Sequence, residues 1–227
     1  MKRPSYYLKK IGHRGQISIW LVDGTLIRKN LDQEFTNFGQ YYHFKRIPKN
    51  EFWIDHEASP DERRFFIDHL LVEWRLMKNG ATYPIALDTA NITERSERSR
   101  SHDLTKVENR QGIADPAKVH LKKLKTTKKG LSIWLVDGRL VRSVFDINFT
   151  EGGHDLVYPY VPKKEIWIDN DISPDERPFV LLHELFERSL MAKKYSYNPA
   201  HRHSSRLEWS CRRHPEKLQI KLSSLGA

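Results

Sequence analysis

Apolar and polar residues alternate with a period of two in several short runs of this chain. In two longer runs they recur with the 3.6-residue period of a helix. Ile17-Ser18-Ile19-Trp20-Leu21-Val22 reads as a strand. Asp23-Gly24 followed by Thr25-Leu26-Ile27-Arg28 predicts a β-hairpin, because Asp-Gly is the strongest short turn signal between two β-rich runs. Residues 41–47 and 51–55 read as two further strands. Ser59-Pro60-Asp61-Glu62 has the composition of a helix N-terminus, with Ser as cap, Pro in the first turn and Glu62 closing a capping box. The helix it starts runs to about Lys78 and stops at Gly80. A second helix follows Tyr83-Pro84 and fades into the charged stretch 94–100.

The whole pattern then returns. Residues 18–24 recur as 132–138, Trp53-Ile54-Asp55 as Trp167-Ile168-Asp169, and Ser59-Pro60-Asp61-Glu62-Arg63 as residues 173–177. At a constant offset of 114, 35 of the 82 pairs from 17/131 to 98/212 are identical, which chance does not produce. The chain is therefore read as a tandem duplication of an α+β unit, each copy a small antiparallel β-sheet plus two helices. The two copies are expected to pack as an intramolecular pseudo-dimer. The boundaries read as a basic lead-in over 1–16, a first repeat over 17–99, a basic linker over 100–129, a second repeat over 130–215 and a tail over 216–227.

Composition narrows the setting. With 38% hydrophobic and 11% aromatic residues, the 227-residue chain belongs with globular proteins able to bury one or two cores. No apolar run approaches the roughly 20 residues of a membrane span, and the opening MKRPSYYLKK lacks a signal-peptide core. The single Cys211 excludes an intrachain disulfide and a Cys-rich zinc site, so a reducing, cytoplasmic setting is expected. The net charge of +10 favours polyanions, and Lys118, Lys122, Lys123, Lys125, Lys128 and Lys129 fall in one acid-free stretch. That stretch is either a solvated linker or a nucleic-acid contact. No phosphate-binding Gly-rich loop and no Gly-x-Ser-x-Gly elbow occurs.

Comparing the copies picks out candidate chemistry. Both keep a His and a Glu four residues later (His69 with Glu73, His183 with Glu187), a Tyr (Tyr83, Tyr197) and a later Glu (Glu94, Glu208). Only the second has Glu184 and His201, where the first has Leu70 and Leu87. On a helix Val180, His183, Glu184, Glu187 and Met191 share one stripe, and polar groups set in an apolar stripe need partners or an ion. A helix starting at Asn198-Pro199 puts His201 and Glu208 on one face. These residues suit a divalent metal, zinc first and iron or manganese next, held by His183, Glu187 and His201. Glu208 would be a fourth ligand or support. Glu184 is then placed to take a proton from a water that the ion activates, unless it pairs with Arg188. Tyr197 stands at the entry, and Asp169 is a supporting acid or a turn former. The plainer account of each His–Glu pair is a hydrogen bond tying two helices together, and it carries most weight in the first copy.

His183-Glu184-x-x-Glu187 after Trp167-Ile168-Asp169, followed by Leu190-Met191, Tyr197, Ala200-His201 and Glu208, resembles bacterial and phage proteins of a zincin-like metallopeptidase type. The resemblance covers the second copy fully and the first in outline. It implies a zincin-like minimal core with His183 as ligand, Glu184 as general base and strand 166–169 lining a peptide or protein substrate. Zincins carry His-Glu-x-x-His, whereas this chain has Glu187 at the last position. The expected function is a metal-dependent hydrolase. The alternative is a non-enzymatic module that binds nucleic acid or protein through its basic segments, its His/Glu cluster being structural.

Overall fold

The computed structural model describes residues 4–227, so the first three residues of the expected lead-in lie outside the described residues. The chain forms two compact units that meet in sequence at Asp103/Leu104. The first contains β1 (Tyr7–Arg14), β2 (Ile17–Val22), α1 (Gly24–Asn30), β3 (Phe38–Gln40), β4 (Glu51–Asp55), α2 (Arg63–Lys78) and α3 (Tyr83–Ser99). After α4 (Asp103–Val107) the order repeats as β5 (His120–Thr126), β6 (Ser132–Val136), α5 (Gly138–Val144), β7 (Gly152–His154), β8 (Glu165–Asp169), α6 (Arg177–Met191) and α7 (Tyr197–Arg213), with α8 (Leu218–Ser224) added.

Each sheet is mixed, not antiparallel as expected. The strand orders are β1-β2-β4-β3 and β5-β6-β8-β7, with the two central strands parallel and the outer strands antiparallel to them. The cause lies at Asp23-Gly24, which starts a helix and does not turn a hairpin. Asp23 accepts the Leu26 amide at 2.9 Å as an N-cap, and a Cβ on Gly24 would overlap the Asp55 carboxylate at the end of β4. Asp137 and Gly138 repeat the arrangement beside Asp169. The Gly therefore lets the first turn of a crossover helix approach a neighbouring strand, and the crossover makes β2 and β4 parallel.

The real hairpins lie upstream. The lead-in holds β1, which turns through Gly15 (φ 57°) into β2, and the expected basic linker holds β5. Tyr7 pairs with Val22 and His120 with Val136, an offset of 120 − 7 = 113 against 136 − 22 = 114, so the second turn is one residue longer. A gapless comparison loses the first strand for that reason. Residues 41–47 are a turn, and the third strand is the shorter β3. Residues 59–62 form a turn before α2, where Glu62, and not Ser59, is the N-cap and turns inward to Arg98 at 2.7 Å. That contact and Arg98 to Glu94 at 2.8 Å bury Glu94 and Arg98 at the charged end of α3, which stays helical. The expected tail folds as α8, with Leu218, Leu222 and Leu225 packed on the core of the second unit.

Both faces of each sheet are covered. Phe52 and Ile54 pack with Phe66 and Leu70 of α2, while Trp53 packs with Ile27 and Phe35 on the other side. All five residues of β4 are buried, as a central strand covered on both faces requires. Among the described residues no helix is long and apolar enough to cross a membrane.

Candidate metal centre

In the second unit α6 lies across β7 and β8, and α7 packs along α6. This brings together side chains that are 47 residues apart in sequence, from His154 to His201. His183 Nε2, Glu187 Oε2 and His201 Nδ1 form a triangle with edges of 3.5, 2.9 and 3.2 Å. Ligand atoms about 2.0–2.1 Å from a tetrahedral zinc lie roughly 3.3–3.4 Å apart, so the triangle has the size of one face of such a site. Two imidazoles and one carboxylate are also a donor set found at catalytic zinc.

The orientation of His183 is fixed from behind. Its Nδ1 donates to Glu208 Oε2 at 2.9 Å, which in the neutral ring leaves the Nε2 lone pair facing the triangle. Glu208 accepts from Arg212 Nε at 2.9 Å, and Arg212 Nη1 donates to both oxygens of Glu176 at 2.8 and 2.7 Å. Glu208 thus sits behind His183 and outside the donor triangle.

The first unit contains the same relay. His69 Nδ1 meets Glu94 at 2.8 Å, and Arg98 bridges Glu94 and Glu62 at 2.8 and 2.7 Å. A chain present in both units holds helices together, so the candidate chemistry lies in what the second unit adds. Gly152 stands where the first has Phe38, His154 where it has Gln40, Glu184 where it has Leu70 and His201 where it has Leu87. The Phe38 ring packs on Phe66 and on His69, with centroids 4.7 and 5.1 Å away, and seals the first cluster. A Cβ on Gly152 would lie 2.8 Å from Val180 and 3.2 Å from Glu184, so the Gly lets α6 bring both side chains this close to β7. The His69 side chain is 3% exposed, against 12% for His183 and 34% for His201. The second cluster is thus the more open of the two, beside His201.

Electrostatics separates the carboxylates. Burial works against ionisation of Glu187, but the surrounding imidazoles of His154, His183 and His201 outweigh it and hold the carboxyl far below its ordinary range. Burial raises Glu184, and the nearby Glu187 charge adds to that against the pull of His183 and His154. Burial alone would discharge His183, yet its hydrogen bonds to Glu187 and Glu208 raise it well above an ordinary imidazole. The carboxylates that favour a proton on His183 equally favour a cation beside it.

The remaining expected residues are placed as follows. Tyr197 stacks on His201 with centroids 5.3 Å apart. Arg188 clamps Asp155 at 2.6 and 2.9 Å and leaves Glu184 alone. Asp169 pairs with the buried Arg142 and accepts the Asp171 amide, as Asp55 does with Arg28 and Glu57 in the first unit; it is a corner brace outside the cluster. Strand 166–169 cannot line a substrate through its backbone, because β8 is hydrogen-bonded on both sides and β7 holds the sheet edge. Lys122, Lys123 and Lys125 lie on the other edge strand, β5, with Lys118 in a preceding 3-10 turn and Lys128 and Lys129 in the turn that follows. Lysines on an edge strand deter edge-to-edge pairing, which accounts for the β5 positions without a polyanion.

Sequence reasoning missed two residues of the site, Gly152 and His154. The signal was present in the aligned pairs 38/152 and 40/154, where large apolar and amide side chains give way to Gly and His. The chain matches no protein-family model, no curated protein and no solved structure.

Proposed function

We propose that the second unit is a metal-dependent hydrolase of zincin-like, metallopeptidase type, with His183, Glu187 and His201 as ligands. The observation that carries this reading is the donor triangle itself, oriented by Glu208 and open beside His201. Zinc suits two imidazoles and a carboxylate best, with iron and manganese next. An ion held there would polarise a substrate carbonyl and lower the pKa of a water to roughly 7. Glu184 serves as the general base: it is buried beside a ligand, and its raised pKa brings a carboxylate nearer to the range in which it both takes and returns a proton. Glu208, Arg212 and Glu176 hold His183 in register. The first unit, where Phe38 packs on His69 and where Leu70 and Leu87 stand in place of Glu184 and His201, is a structural copy. A peptide is the first substrate class to screen, and one that adds as a strand would do so at β7.

Elemental mass spectrometry of untagged protein tests this directly. Wild type should carry close to one equivalent of zinc, iron or manganese, lost in His183→Ala/His201→Ala and kept in Glu184→Gln, which should lose turnover. A wild-type protein that holds no metal and takes up none on addition would overturn the hydrolase reading and leave the cluster a structural one.

A further inference from the structure

His154, Glu184 and Glu187 form a second group whose donor atoms lie within 4.8 Å of one another, and Glu187 belongs to both groups. The second group could hold another cation bridged by Glu187, or it could hold Glu187 in place by hydrogen bonding. The first unit separates these two accounts, because there the same work is done by a residue that cannot change its protonation.

Gln40 stands where the second unit has His154. Its Oε1 accepts the Tyr42 amide at 2.6 Å and its Nε2 donates to Glu73 Oε2 at 2.8 Å. His154 repeats the first as a hydrogen bond and the second as a close approach: Nδ1 accepts the Leu156 amide at 3.2 Å, again two residues on, and Nε2 lies 3.2 Å from Glu187 Oε1. A ring nitrogen that accepts an N–H carries no proton, so in a neutral imidazole the proton is on Nε2, and a protonated Nε2 has no lone pair for a metal. The ring is fully buried, and the Glu187 carboxylate stands 3.2 Å from its Nε2, a close approach that falls outside hydrogen-bond geometry but still lowers the Glu187 carboxyl pKa.

We infer that His154 is a positioning residue, an Nε2–H donor that replaces Gln40 and turns Glu187 so that Oε2 faces His183 and His201, and that the centre holds one ion and not two. This rests on the metal reading for its stoichiometry but not for its proton. The arrangement leaves Glu184 without a metal to bind and available as base. It also explains why the acid at 187 and the donor at 154 occur together: Oε1 is turned away from the ion by one imidazole while Oε2 meets the other two.

Two measurements test it. Nitrogen-15 NMR of the imidazoles in metal-free protein should show His154 with its proton on Nε2; an Nδ1–H ring would overturn the inference whatever metal does. Zinc titration followed by native mass spectrometry should give one equivalent for wild type and one for His154→Gln, whose amide can accept from Leu156 and donate to Glu187 as Gln40 does with Tyr42 and Glu73. His154→Ala should bind zinc about 10–100-fold more weakly, the usual effect of removing a group that orients a ligand. Two equivalents in wild type, or loss of one in His154→Gln, would overturn the inference. If wild type binds no zinc, the function proposed above fails, and the tautomer together with a denaturation midpoint restored by Gln and not by Ala still decides the role of His154.

Discussion

Glu208→Gln tests whether the buried relay acts on the metal or merely on the fold. The Glu208 carboxylate accepts from His183 Nδ1 at 2.9 Å through one oxygen and from Arg212 Nε at 2.9 Å through the other. Burial opposes its charge, and the contacts from His183 and Arg212 hold its pKa down regardless. Gln keeps the shape but has one acceptor where two donors converge, so its amide group must face either the imidazole N–H or the guanidinium. An unsatisfied buried donor costs about 1–3 kcal/mol. Removing the acceptor behind a ligating His typically weakens metal binding 10–100-fold, or about 1.4–2.7 kcal/mol. Glu94→Gln in the first unit is the matched control, since His69 and Arg98 converge on Glu94 at 2.8 Å each. Both variants should lower stability in urea, with hydrogen exchange locating each loss in its own unit. Only Glu208→Gln should raise the zinc Kd in competition with a chromophoric chelator. Wild-type affinity in Glu208→Gln, or an equal loss in Glu94→Gln, would refute the idea that the relay orients a metal ligand.

Three further outcomes follow from the same geometry. Gly152→Ala should destabilise the second unit by about 1–3 kcal/mol through overpacking against Val180 and Glu184, read as a lower urea midpoint; an unchanged midpoint would mean that β7 and α6 do not approach as closely as described. Asp55 is buried, which opposes ionisation, but the His56 hydrogen bond and the Arg28 charge hold its pKa below the ordinary value. A depressed folded pKa contributes stability above the unfolded pKa of about 4 and loses it as pH falls through the folded value. Asp55→Asn should therefore flatten the acid limb of the first unit's stability curve and cost about 3 kcal/mol near neutrality by leaving Arg28 undercompensated, with denaturation from pH 3 to 7 as the check. Replacing Lys122, Lys123 and Lys125 with Thr should promote self-association in sedimentation velocity by unmasking the β5 edge. A monomer that instead loses salt-sensitive binding to single-stranded DNA would assign those lysines to a nucleic-acid partner.

The duplication, the helical stripe of α6 and the pairing of His183 with Glu187, His201 and Glu208 were legible in residue order, because helical periodicity and self-similarity are local or linear properties. Asp23-Gly24 was misread because its decisive partner, Asp55, is 32 residues away from Asp23 and the turn signal is silent about it. The first strands escaped because a one-residue change in turn length breaks a gapless comparison while leaving the ladder and its bulges intact. Glu208 could not be ranked as ligand or support from spacing, since both roles place it on the same helix face. Only the direction in which His183 Nδ1 points separates them.

Residue order alone thus determined the repeat, the α+β content and the helices that carry the His and Glu side chains. Tertiary structure decided the mixed sheets, the sealed first cluster and the open second one, and the entry of His154 from β7. The physical reason is range: helix faces are set by contacts three or four residues apart, whereas a donor triangle depends on which strand edge a helix crosses and on whether Gly152 leaves room there for Glu184.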